Sequence, residues 1–163
     1  MTITLSSYDP TWPLLYKEEK KALLKALGEN CLSIHHFGST AIPEISAKPK
    51  IDILVEVTDF SLIDNKALVA LDYEIRGEVI KDGRYFSKKS PFRFHLHAFE
   101  SSHPAIEKNI RFRNWLRDHE SDRKAYEELK KHLASIHTEG IEYAEAKSEF
   151  FNMIMEKSLD NKV

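Results

Sequence analysis

The segment Lys50–Val57 (KIDILVEV) restricts the fold of this chain more than any other. Its odd positions Ile51, Ile53, Val55 and Val57 are all apolar, while Asp52 and Glu56 fall on the opposite face with Leu54 between them. Alternation with a period of two is the pattern of a strand, so one face must meet a hydrophobic core. The other face carries a carboxylate in mid-strand. That group costs desolvation energy unless it is solvated in a cleft, paired with a neighbour such as Lys48 or Lys50, or bound to a cation.

A second strand, Phe92–Phe99 (FRFHLHAF), repeats the alternation. Phe92, Phe94, Leu96 and Ala98 share one face, and Arg93, His95 and His97 share the other, where the two imidazoles stand side by side. Set beside Lys50–Val57, this strand would complete a polar floor of Asp52, Glu56, Arg93, His95 and His97. Two histidines and a carboxylate suit a transition metal, whereas Mg2+ prefers oxygen ligands. The floor therefore predicts a divalent-metal site of undetermined identity on Asp52, His95 and His97. A phosphorylated ligand held with the help of Arg93 is an equal reading, and a pair of surface histidines on an open sheet is the plain one.

The rest of the chain supplies helices for these strands. Thr11 and Pro13 open a helix with Trp12, Leu15, Tyr16, Leu23, Ala26 and Leu27 at helical spacing, and Gly28 ends it. Leu32–Phe37 reads as a strand closed by Gly38-Ser39-Thr40. Ser61–Leu71 reads as a helix capped by Asp59 or Ser61, and Tyr73–Ile80 with Arg84–Ser87 flank the turn dipeptide Asp82-Gly83. Three helices, roughly 104–118, 122–137 and 141–159, finish the chain. Strands first and helices last, with one early crossover helix, predict an α/β (α+β) fold: a mixed sheet backed by helices, with C-terminal helices. No repeat or long linker divides the 163 residues, so one domain over 1–163 is expected.

Two further features bear on ligands. Gly38-Ser39, just after a strand, lets the backbone approach a phosphate and offers N–H donors, although such turns are common. Tyr143, Phe150, Phe151 and Ile154 form an apolar helical stripe with Lys147 in its middle. A lysine there must snorkel out or meet an anion or a polar cleft, and Tyr143, one turn away, projects with it. Arg113 sits similarly beside Ile106, Ile110 and Leu116. Between 76 and 93, Arg76, Lys81, Arg84, Lys88, Lys89 and Arg93 face only Glu78 and Asp82, which is either a draw for anions or a solvated face.

Several function classes fall away. Twenty-four Lys and Arg against twenty-six Asp and Glu argue against a dedicated nucleic-acid binder. The lone Cys31 allows neither an intramolecular disulfide nor a Cys-rich zinc site. Walker A, Gly-x-Gly-x-x-Gly and Gly-x-Ser-x-Gly patterns are missing. No run approaches the ~20 apolar residues of a membrane span, and the start MTITLSSYDPTWP has no signal-peptide character, so the cytoplasm is the expected compartment.

His36-Phe37-Gly38-Ser39-Thr40-Ala41-Ile42-Pro43 and Ala47-Lys48-Pro49-Lys50-Ile51-Asp52-Ile53 closely resemble the signature of the GrpB family. Tyr8-Asp9-Pro10, Trp12-Pro13, His95-Leu96-His97, Phe112–Arg117 and Tyr143 with Ala146-Lys147 and Phe150 agree with it in order. The resemblance implies the nucleotidyltransferase superfamily, in which Gly-Ser and a following Asp-x-Asp hold a nucleoside triphosphate and metal. It assigns Gly38 and Ser39 to phosphates and Asp52 to the metal, and puts the third acidic position on the strand bearing His95 and His97. Leu54 replaces the second acid, and Glu56 lies roughly 7 Å further along the strand. The expected function is a nucleotidyltransferase-like domain that binds a phosphorylated small molecule or nucleotide, with Lys48, Arg93, Tyr143 and Lys147 beside it. In a catalytic version Asp52, His95 and His97 hold a metal that stabilises charge on the transferred group. The alternative is a non-catalytic accessory or partner-binding domain with a degenerate cleft. The sequence identifies no protein partner.

Overall fold

In the computed structural model, which describes residues 4–136 and 140–160, the two alternating strands lie side by side. Strands β1 (Cys31–Phe37), β2 (Ile51–Val57), β3 (Glu74–Gly77), β4 (Gly83–Lys88) and β5 (Phe94–Glu100) form one sheet in the order β1-β2-β5-β4-β3. The β2–β5 pair is parallel and every other neighbouring pair antiparallel. This is the mixed sheet backed by helices that the sequence predicts.

The alternation decides which helices cover which face. Ile51, Ile53, Val55 and Val57 join Phe94, Leu96 and Ala98 under helix α1 (Trp12–Leu27) and helix α2 (Asn65–Ala70), meeting Trp12, Leu23, Leu27 and Leu68. Each buried aliphatic side chain of this kind contributes about 1.5–3 kcal/mol, so this face dominates the stability of the sheet. One ion pair is enclosed here. Glu19 of α1 accepts Lys88 Nζ at 2.8 Å and the Tyr73 hydroxyl at 3.1 Å.

Helices α3 (Pro104–Asp118), α4 (Glu120–Ile136) and α5 (Gly140–Asp160) occupy the opposite side. Leu54, Phe99 and Ile106 form a small cluster between the sheet and α3. A second cluster of Ile42, Ile45, Leu116, Tyr126, Ile154 and Met155 fastens the three helices to the β1–β2 connection. Arginines complete this fastening: Arg113 Nη1 donates to His36 O and Arg117 Nε to Ala41 O, both at 2.9 Å. Arg113, read from sequence as a cation on an apolar stripe, thus ties α3 to β1.

Local chemistry moved several boundaries. The helix expected over 61–71 is two pieces, because a second acidic cap restarts it. Asp59 caps a 3-10 turn at Phe60–Leu62, and the Asp64 carboxylate accepts the Ala67 N–H to begin α2. Strand β3 ends at Gly77, with residues 78–82 forming a longer loop in which Glu78 Oε2 accepts the Asp82 N–H, in place of a tight Asp-Gly hairpin. Strand β5 begins at Phe94, so Arg93 lies just before it and is exposed. His137, the expected end of the fourth helix, lies outside the described residues.

Candidate functional site

Register places the polar residues together. Asp52 pairs with His95 across β2–β5, and Leu54 pairs with His97, so all four side chains share the face opposite the aliphatic core. Tyr85 of β4 pairs with His97 from the other side.

The imidazoles are engaged with that tyrosine. His95 Nδ1 lies 2.7 Å from the Tyr85 hydroxyl. His97 stacks on the Tyr85 ring at 4.8 Å between centroids and meets Phe37 edge-on at 5.7 Å. Burial disfavours their charged forms: it lowers His95 to about 4, and lowers His97 although Asp52 pulls the other way. Both are neutral at pH 7.

Asp52 is likewise committed. Its two oxygens accept Lys50 Nζ at 2.9 and 3.0 Å. Burial works to raise its pKa, but the Lys50 ammonium more than offsets this and holds the carboxyl below its ordinary value. Gly38 makes room for the pair. Its φ is +75°, and a Cβ there would lie 2.5 Å from Asp52 Oδ2, so a side chain is excluded twice over.

These side chains do not fit a divalent metal. An ammonium holds both Asp52 oxygens, and a hydroxyl engages one His95 nitrogen. Among the described residues no group of three His, Cys, Asp or Glu is arranged to hold a metal ion. The expected set of Asp52, His95 and His97 therefore shares a face without forming a ligand shell.

Beside this floor opens a cavity of about 550 Å3, lined by Asp52 but by neither histidine. Gly38, Ser39 and Thr40 form one side, and the ammonium-bearing Lys48, Lys50, Lys130 and Lys147 converge on it from the β1–β2 connection, α4 and α5. Asp52 is its lone carboxylate among the described lining residues. Phe112, Tyr126 and Phe151 supply an aromatic wall, and Ile80 of the β3–β4 loop closes the rim.

Within it, Tyr143 is a platform for two cations. Lys48 Nζ stands 4.8 Å and Lys147 Nζ 4.6 Å from the centre of its ring. Tyr143 is only 1% exposed, and its hydroxyl has no hydrogen-bond partner among the described residues. Lys130, also 1% exposed, donates from Nζ to Ser46 O, and the Ser46 N–H donates to Glu127 Oε2 at 2.7 Å. Burial first, then mutual repulsion, loosens the protons of these amines. Lys130 is lowered to about 7 with Lys147 as its main repelling neighbour, and Lys147 to about 8 with Lys50 in that role. Lys48 is lowered by burial and by Lys147.

Of the site residues read from sequence, Gly38, Ser39, Lys48, Asp52, Tyr143 and Lys147 line this cavity, while Arg93, His95 and His97 do not. Lys147 lies in this polar cavity. Half of the basic stretch before β5 has structural partners, Lys88 in Glu19, Arg76 in Glu74 and Ser87, and Arg84 in the Phe60 ring, while Lys81, Lys89 and Arg93 are exposed. Sequence spacing offers Lys50 only as a partner of Asp52 and does not by itself single out Lys130. The signal that bears on Lys130 is its place between Tyr126 and Leu133 at helical spacing, as Lys147 stands on its own stripe. Among the described residues no helix is long and apolar enough to cross a membrane.

Known proteins resemble the chain over most of its length. It is similar to the UPF0157 protein YqkA of Bacillus subtilis (strain 168), 37% identical over 156 residues, which cover 93% of this chain. Those residues amount to 46% of YqkA, so the chain spans about half the length of that relative. The crystal structure of the conserved protein GrpB from Enterococcus faecalis superposes with a TM-score of 0.85 at 33% identity, covering 96% of this chain and 98% of that one. A cytoplasmic RNA terminal U-transferase overlaps at a TM-score of 0.47 and 15% identity, over 79% of this chain and 41% of its own. The pattern of the GrpB protein family matches residues 2–157, and this chain belongs to that family.

Proposed function

We propose that this chain is a nucleotidyltransferase-like domain that binds a phosphorylated ligand, a nucleotide, in the lysine-lined cavity, and that it does so without nucleotidyl transfer. One observation carries the reading: four amine-bearing side chains converge on one cavity with a single carboxylate among them. Cations brought together out of water repel one another, and an anion removes that repulsion. The backbone of the Gly38-Ser39 turn lines the same cavity and can bring N–H donors to the anion. Phe112 and Phe151 offer a ring-stacking surface for a base.

Binding without transfer is favoured by Leu54. In the superfamily pattern that the sequence resembles, this position carries the second metal-binding acid. Here it is 0% exposed and packed against Phe99 and Ile106. Two-metal transfer needs several carboxylate oxygens around two ions, and Asp52 is occupied by Lys50. The domain then serves as an accessory module that senses or carries its ligand.

Calorimetric titration with nucleotides tests the reading. Saturable binding by the intact chain, weakened in Lys147→Gln, is expected. Absence of binding to every nucleotide tried overturns it. Transfer of label from an α-labelled nucleoside triphosphate, abolished by Asp52→Asn, would reinstate the enzyme.

A further inference from the structure

We infer that the cavity grips a polyphosphate chain directly on its lysines, with no divalent metal between phosphate and protein, and so selects di- and triphosphates over a single phosphate. The inference rests on the proposed ligand site and adds the class of anion and the manner of holding it.

The first support is the place a metal would take. Lys50 Nζ is bidentate on Asp52, so a fixed cation already sits at the one carboxylate of the cavity. The second is the state of the other amines. Among the described residues neither Lys48 nor Lys147 meets a carboxylate; both rest on the Tyr143 ring, whose buried hydroxyl has no partner. An ammonium that meets only a ring face keeps N–H donors that a phosphate oxygen can accept. The third is charge balance. Four lysines against Asp52 leave a surplus of positive charge on the lining, which Glu127, acting on Lys130, offsets only in part. A phosphate monoester brings only about −1.5 to −2 at pH 7. A polyphosphate chain brings more negative charge than a single phosphate and reaches amines on three segments at once.

Two consequences separate this from metal-assisted binding. A Mg2+ ion complexed to the phosphates cancels part of the charge the lysines recognise, so excess Mg2+ weakens binding. Amines that shed protons in the empty cavity regain them beside an anion, so binding takes up protons. The lowered values of Lys130 and Lys147 agree with this.

The experiment is calorimetric titration of the intact chain with orthophosphate, tripolyphosphate and ATP, each in EDTA and in excess Mg2+. Tripolyphosphate and ATP should bind in EDTA at least about tenfold tighter than orthophosphate, with Mg2+ lowering both affinities. The heat should vary with the ionisation enthalpy of the buffer in the sense of proton uptake. Lys48→Gln and Lys147→Gln, at part-exposed positions that leave folding intact, should each lose about tenfold, the worth of one charge-assisted hydrogen bond. Lys130→Gln is a further probe if it folds. ATP binding tighter than tripolyphosphate assigns a base contact as well, and equal affinities assign the phosphate chain alone; both support the inference. ATP binding only with Mg2+, or orthophosphate binding as well as tripolyphosphate, overturns it while leaving the proposed nucleotide site standing. No binding under any condition removes both.

Discussion

Two neighbouring patches on one side of the sheet behave in opposite ways. In the imidazole floor Tyr85 engages His95 by its hydroxyl and His97 by its ring, and burial favours the uncharged form of both histidines. The lysine cavity differs. Two of its amines rest on an aromatic ring with no carboxylate among the described residues, and a buried hydroxyl has no partner. The difference teaches that residues which look catalytic in sequence can complete one another, while the groups left incomplete gather in the cavity proposed to hold the ligand. Conspicuous side chains are a weaker guide than unmet ones.

The sharpest way to break this comparison is to restore the missing acid. Leu54→Asp rebuilds the Asp-x-Asp pattern but buries a carboxylate between Phe99 and Ile106. Urea unfolding should show a loss of about 3–5 kcal/mol, the effect of an uncompensated buried charge. A stable variant that gains metal binding would mean the two patches form one metal site.

Gly38→Ala comes next. The added Cβ would collide with Asp52 Oδ2 and occupy a left-handed backbone position, so a loss of about 1–3 kcal/mol is expected in the same measurement. Asp52→Gly should recover part of that loss, because it removes the collision and leaves the backbone strain.

The lysine cavity should also impose a slope on stability against pH. Lys130 has a folded value of about 7, below the ordinary 10.5 of an unfolded chain. Between the two the unfolded chain binds more protons, so stability rises with pH through that window, by at most about 1.4 kcal/mol per pH unit for one group. Lys130→Met should flatten the slope in unfolding curves at pH 7 to 8.5. For His95 the corresponding window is lower: stability falls as pH drops from the ordinary 6.5 toward about 4.

The smallest effect belongs to the floor. Tyr85→Phe keeps the ring under His97 but removes the hydroxyl at His95, which should cost about 1 kcal/mol and leave anion affinity unchanged. An affinity loss as large as that of Lys147→Gln would merge the two patches into one site.

Much of the scaffold was legible in order. The alternation in β2 and β5 assigned each side chain to its face, because a strand's period of two leaves no freedom once one face is apolar. The helices α1, α3 and α5 kept their expected spans within a residue or so, since Pro at a helix start and Gly at a helix end act locally. Asp64 was overlooked because Asp59 and Ser61 already provided a cap, and nothing in the periodicity reveals a second one. Arg93 was placed with the histidines by spacing alone, yet its strand starts one residue later.

By itself the sequence determined the family, the mixed sheet, and which face each residue of β2 and β5 would occupy. All of these follow from local patterning read one segment at a time. Only the tertiary structure decided that Asp52 would take Lys50 and that Lys48, Lys130 and Lys147 would surround the same space. Those amines come from a loop and two helices, up to a hundred residues apart in the chain, and their encounter depends on how α4 and α5 pack over the β1–β2 connection. Charge repulsion across such a gap has no trace in periodicity, because it acts through space.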